Sequence, residues 1–226
     1  MPSRFLKVLS HGTTKLDVVY TNESREVPFF LEQLKEKWFD NAMEHEKFLG
    51  LDLEYMADQR GVAVIQLCFA RHVLIFQWAR SDKHCPELMD FLRSGITFAT
   101  VDIRNDKLKM RHNFGIEIPA GCLVDLQTVF RLRHDRTSMA HMAVALIDEE
   151  YGDMKTSFPK SQHKLWEKAH LIQSTLSMQQ KMHTFHTSCT ARFELSTMAS
   201  VTSRKVDILI QTSSVLNVEH LYIYLW

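Results

Sequence analysis

Hydrophobic positions recur along the chain with two different periods. In Phe48-Leu49-Gly50-Leu51-Asp52-Leu53-Glu54, the residues Leu49, Leu51 and Leu53 fall two apart. On an extended strand they share one face, and Asp52 and Glu54 share the other. Residues 62–69 and 72–78 are nearly unbroken apolar runs separated only by Ala70-Arg71, and residues 58–61 form the break before them. Three successive strands on brief turns predict an antiparallel meander. Upstream, the apolar segments 4–9 and 15–20 flank Ser10-His11-Gly12-Thr13-Thr14 and predict a β-hairpin.

The other period is helical. Pro28 opens a stretch with Phe29, Phe30, Leu34, Trp38, Phe39 and Met43 at helical spacing, interleaved with Glu32, Lys35, Glu36 and Lys37. Residues 86–93 repeat the pattern through Leu88, Met89, Phe91 and Leu92, and 96–101 read as a strand. The alternation has become βαβ, so this fourth strand is expected to run parallel to the acidic one. A helix is predicted over 106–114 with Gly115 as its C-cap. A short strand is expected within 122–130, a helix over 137–151, a polar loop over 152–162 and a last helix within 176–198. Residues 206–210 and 221–226 look strand-like, and an apolar end of that sort invites association, so a homo-oligomer is one expectation.

Composition bounds the class. The 226 residues suffice for one sizeable α/β domain, and 45% hydrophobic with 24% charged residues, 7 Gly and 5 Pro leave little scope for disorder. A formal net charge of zero gives no global field for nucleic acid, so an anionic partner must be held by a local groove or a bound metal. Cys68, Cys85, Cys122 and Cys189 form no CxxC pair, which points to a reduced, intracellular protein of the nucleus or cytoplasm. With no apolar core of a signal peptide and no run of about 18 apolar residues, a soluble protein without a membrane is expected.

Candidate chemistry starts from the acidic strand. Two close carboxylates repel unless water or a cation intervenes, and such hard oxygen ligands suit Mg²⁺ or Mn²⁺. The competing interpretation is an edge strand with a solvated acidic face. Asp106 is either a partner of that pair or the N-cap of its helix. Asp125 reads as a structural acid at a strand end, and Asp102 as a solvated neighbour. Lys107, Lys109, Arg111 and His112 cluster just after Asp106, as a solvated helix face or a phosphate contact. Trp38, Phe69, Phe76 and Phe98 fit core packing.

With the order β-β-β-α-β-α and Asp-x-Glu on the first of these strands, residues 30–200 resemble the DnaQ-like (DEDD) superfamily of 3′→5′ exonucleases, in its Werner syndrome-like and ribonuclease D-like group. Gly50-Leu51-Asp52-Leu53-Glu54 with the following strand is similar to the family's first motif. The stretch from Phe98 to Met110, followed by Phe114-Gly115-Ile116, resembles the second and aligns its aspartate with Asp106. Val124-Asp125-Leu126 matches the family's "DL" strand, and Ser138-Met139-Ala140-His141-Met142-Ala143 its "Leu-Ala" helix. Trp166-Glu167-Lys168 before Leu176-Ser177-Met178-Gln179-Gln180 resembles the lead-in to the third motif.

The resemblance implies a ribonuclease H-like mixed sheet, with an antiparallel meander of three strands plus parallel strands, flanked by helices. The chain is expected to divide into an N-terminal hairpin at 1–27 packed on the domain, an exonuclease-like domain at 28–200, and a tail at 201–226 that no motif ties to the rest. The resemblance also implies two-metal hydrolysis of nucleic acid from single-stranded or frayed 3′ ends, DNA or RNA, with Asp52, Glu54 and Asp106 binding Mg²⁺ or Mn²⁺. The third motif departs from the family's Tyr-x-x-x-Asp. Ser188 stands where the Asp belongs and Thr184 where the Tyr belongs, or Thr187 and His183 in a register shifted by one. A neighbouring branch uses His-x-x-x-x-Asp, which makes His183 a candidate base and Ser188 a weak replacement ligand. Loss of that acid predicts weaker metal binding and reduced turnover. The alternative is an inactive pseudo-exonuclease that binds nucleic acid or protein.

Overall fold

Seven strands lie side by side in one mixed sheet, in the order β1-β2-β5-β4-β3-β6-β7. They belong to a computed structural model that describes residues 3–10, 14–44, 47–58, 60–101, 103–129 and 166–168. The meander is β3 (Phe48–Tyr55), β4 (Val62–Phe69) and β5 (His72–Phe76), antiparallel as expected, with Leu51 opposite Leu67 and Leu67 opposite Leu74. The hairpin is β1 (Arg4–Ser10) and β2 (Thr14–Thr21), and β2 extends the sheet by running parallel to β5. Beyond β3, β6 (Thr97–Thr100) runs parallel to it, and β7 (Leu123–Asp125) parallel to β6. The acidic strand β3 is therefore interior to the sheet, which corrects the edge-strand interpretation.

Helices cover the sheet because their apolar stripes match it. α1 (Val27–Gln33), opened by Pro28, buries Val27, Phe30, Leu31 and then Leu34 at the i, i+3, i+4, i+7 spacing. The chain continues as a π-helical turn over Leu34–Phe39, in which Asp40 N–H bonds to Lys35 C=O five residues back. That wider turn carries the buried face from Leu34 to Phe39. Two positions expected on this stripe fall off it: Phe29 is 55% exposed and Met43 64%. Trp38 stacks flat on His72 with ring centroids 3.4 Å apart.

α2 (Pro86–Arg93) buries Leu88 and Leu92, one helical turn apart. α3 (Ile103–Phe114) buries Asp106 and Met110, again one turn apart, and starts before Asp106. Asp106 thus sits within the first turn and is not the N-cap. Gly115 ends α3 with φ +62°, the left-handed conformation that glycine adopts without strain, and its N–H bonds to Arg111 C=O at 3.1 Å. Asp125 accepts the Gln127 N–H at 2.9 Å and so caps the short α4 (Leu126–Val129).

The main core joins Leu34, Leu88, Leu92 and Met110 of the helices to Leu49, Leu51, Leu53, Ile65, Leu67, Leu74, Phe76 and Phe98 of the sheet. A smaller cluster of Tyr20, Ala63, Val64 and Trp166 packs separately. Trp166 is anchored there by Gln77, whose Nε2 donates to Trp166 C=O at 2.9 Å and Lys168 C=O at 2.8 Å, while Tyr20 Oη donates to its Oε1. Among the described residues no helix is long and apolar enough to cross a membrane. The helices expected over 137–151 and within 176–198, the loop over 152–162, and the apolar tail at 201–226 on which the oligomer expectation rests lie outside the described residues.

Candidate functional site

Strand alternation puts Asp52 and Glu54 on the face of β3 opposite Leu49, Leu51 and Leu53. The three leucines are buried and the two acids half-buried. Asp52 stands directly across the ladder from Gln66, whose Nε2 donates to Asp52 Oδ2 at 2.9 Å. Glu54 stands opposite Val64. Past Glu54 the register of β3 on β4 slips by one residue, a β-bulge of the kind that bends a strand and re-aims its side chains.

Asp106 reaches the same neighbourhood from α3. It is 4% exposed, with both carboxylate oxygens taken up by hydroxyls: Tyr55 Oη donates to Oδ1, and Thr100 Oγ1 to Oδ2 at 2.7 Å. Tyr55 closes β3 next to Glu54, and Thr100 closes β6. The Lys109 ammonium lies 5.5 Å from the centre of the Tyr55 ring, within cation–π range.

The three acids act on one another. Burial, then the Asp106 carboxylate, push Asp52 up to about 7 against the Leu53 N–H, which holds it down. Burial, then Asp52 and Asp106, push Glu54 up to about 9. Tyr55 rises well above the ordinary phenol range through burial and through Asp106. Raised in this way, both acids hold a proton more tightly than an ordinary carboxyl, and a divalent cation beside them would favour the charged form.

Asp52 and Glu54 are hard oxygen donors on one strand face, the donor type that suits Mg²⁺ or Mn²⁺. Among the described residues no three His, Cys, Asp or Glu side chains converge to hold a metal. Ser188, His183, Thr184, Thr187 and Asp102 lie outside the described residues.

Of the remaining expectations, Phe69, Phe76 and Phe98 are core residues and Trp38 is half-buried. The basic cluster divides: Lys107, Arg111 and His112 are exposed, with Arg111 paired to Glu117 at 2.5 Å, while Lys109 turns to Tyr55. Gln66, Tyr55 and Thr100 are contributors the sequence pattern does not single out. Gln66 had a signal, as the one amide inside the apolar run of β4. Tyr55 had none, because alternation assigns it to the leucine face of β3.

No family model and no curated protein matches the chain. Among solved structures it is similar to Trypanosoma brucei RNase D in its GMP complex, at 15% identity and a TM-score of 0.56 over 92% of this chain and 64% of that one. A second structure of Trypanosoma brucei RNase D aligns at 14% identity and a TM-score of 0.52, over 92% of this chain and 73% of that one. The EXD2 exonuclease domain soaked in Mg aligns at 15% identity over 76% of this chain and 99% of that one, with a TM-score of 0.43. The chain spans 64% of the length of the RNase D chain in the GMP complex. At these identities the likeness to RNase D is one of fold: the mixed sheet flanked by helices is a ribonuclease H-like α/β fold.

Proposed function

We propose that the protein binds 3′ ends of nucleic acid and hydrolyses their phosphodiester bonds as a divalent-cation-dependent 3′→5′ exonuclease of reduced turnover. The supporting observation is Asp52 and Glu54 on one face of an interior strand whose last residue, Tyr55, hydrogen-bonds Asp106, on the fold of RNase D. In this reading Asp52 and Glu54 would hold Mg²⁺ or Mn²⁺, and Asp106 would add negative charge nearby. The cation, when bound, offsets the phosphate charge and lowers the pKa of water. Gln66 orients the Asp52 carboxylate by donating to its Oδ2.

Reduced turnover follows from the third motif. Ser188 brings no charge where the family has an aspartate, and His183 is left as the candidate base. Substrates are single-stranded or frayed DNA or RNA ends; the GMP in the RNase D complex supports nucleotide recognition by this fold and no more. A second reading, a module that binds nucleic acid without cutting it, is favoured by one observation: among the described residues no third ligand converges on the pair.

A 5′-labelled oligonucleotide assay separates the two. The first reading expects slow Mn²⁺-dependent shortening that Asp52→Asn abolishes. The second expects anisotropy-detected binding without shortening. Fast shortening that Asp52→Asn leaves intact removes both.

A further inference from the structure

Both oxygens of the buried Asp106 carboxylate accept a hydroxyl hydrogen bond. One hydroxyl donor sits on each oxygen, Tyr55 on Oδ1 and Thr100 on Oδ2, and they come from the ends of two neighbouring parallel strands. A carboxylate gripped on both oxygens cannot turn about its Cβ–Cγ bond without breaking a charge-assisted hydrogen bond, so its plane is fixed. Tyr55 makes a second contact to the same helix, its ring receiving Lys109, which lies one turn on from Asp106. The end of β3 thereby grips α3 through a hydroxyl and a ring face, next to the bulge that follows Glu54.

We infer that Tyr55 and Thr100 are positioning residues for cation binding, fixing the Asp106 carboxylate in the orientation from which its charge acts on a cation held by Asp52 and Glu54. The inference rests on the cation site proposed above and deepens it. Neither hydroxyl touches the cation. They act through Asp106, as outer-shell partners do when they orient a charged group around a metal. Losing such a partner costs about 10–100-fold in metal affinity.

The test measures Mn²⁺ affinity of the full chain by calorimetry and by the paramagnetic resonance signal of free Mn²⁺, together with the metal-free Tm. Wild type is compared with Tyr55→Phe, Thr100→Val and Asp52→Asn. The expected result is binding by wild type, loss in Asp52→Asn, and a Kd raised about tenfold or more in Tyr55→Phe and in Thr100→Val. A purely structural role would move the metal-free Tm and leave the Kd of the folded protein unchanged, which overturns the inference while the cation site stands. Wild type without Mn²⁺ binding, or Asp52→Asn binding like wild type, removes the site and the inference together. Should Tyr55→Phe fail to fold, Thr100→Val decides on the same criterion.

Discussion

Gln66 and Asp52 stand directly opposite each other on β4 and β3, joined by a 2.9 Å hydrogen bond from the amide to the carboxylate. The amide supplies a neutral donor where a second acid would repel. Gln66→Glu puts like charges across one rung of the ladder and is expected to cost about 1 kcal/mol in chelator. Added Mn²⁺ should recover part of that loss, since the new carboxylate faces the cation site. Urea unfolding with and without Mn²⁺ checks this, and an unchanged midpoint in chelator would contradict it.

The raised acids make stability fall as pH rises. Their ordinary values are 3.8 and 4.5, and the folded protein carries them at about 7 and about 9. Across that window the folded state holds more protons than the unfolded chain, so each pH step upward favours unfolding. In chelator the Tm is expected to drop between pH 5 and 8. Asp52→Asn should lessen the trend, since burial alone still raises Glu54, and Mn²⁺ at pH 8 should restore much of the Tm in wild type alone. A wild-type Tm that climbs over this range would falsify the assignment of these shifts.

His72 gives the opposite slope at lower pH. Burial against Trp38 pushes it from 6.5 down to about 4, opposed by Asp17 at 3.7 Å and aided by Arg71. The folded protein therefore refuses a proton that the unfolded chain accepts. Stability is complete above pH 6.5 and lost as pH falls toward 4, by about 2–3 kcal/mol at most. His72→Phe retains an aromatic partner for Trp38, and its denaturant midpoint should depend less on pH between 6.5 and 4 than that of wild type.

Gln77, 1% exposed, links Tyr20 to the carbonyls of Trp166 and Lys168. Gln77→Leu leaves a buried phenol without this acceptor and two carbonyls without this donor. The expected cost is about 2–4 kcal/mol, the usual penalty of 1–3 kcal/mol being incurred more than once. Tryptophan emission of Trp166 during unfolding provides the check: the segment around it should loosen before the sheet does.

Period and punctuation were enough to read most of the sheet. The two-residue alternation of β3, the apolar runs of β4 and β5, and the helix over Pro86–Arg93 all stand where the pattern predicted, because each is a local consequence of side-chain direction. Phe29 misled the helical stripe of α1, since adjacent apolar residues leave the phase of a helix ambiguous and only packing resolves it. The start of α3 was missed for a related reason: a polar first turn carries no hydrophobic period.

By itself the chain determined that Asp52 and Glu54 share a strand face, that three antiparallel strands follow in series, and that a fourth returns parallel. Those are properties of neighbours in sequence. Tertiary structure alone decided that the acidic strand is interior, that Asp106 is gripped by Tyr55 and Thr100, and that Gln66 faces Asp52. Each of these joins residues from different elements, and a hydrogen bond between them exists only after the strands and helices have packed.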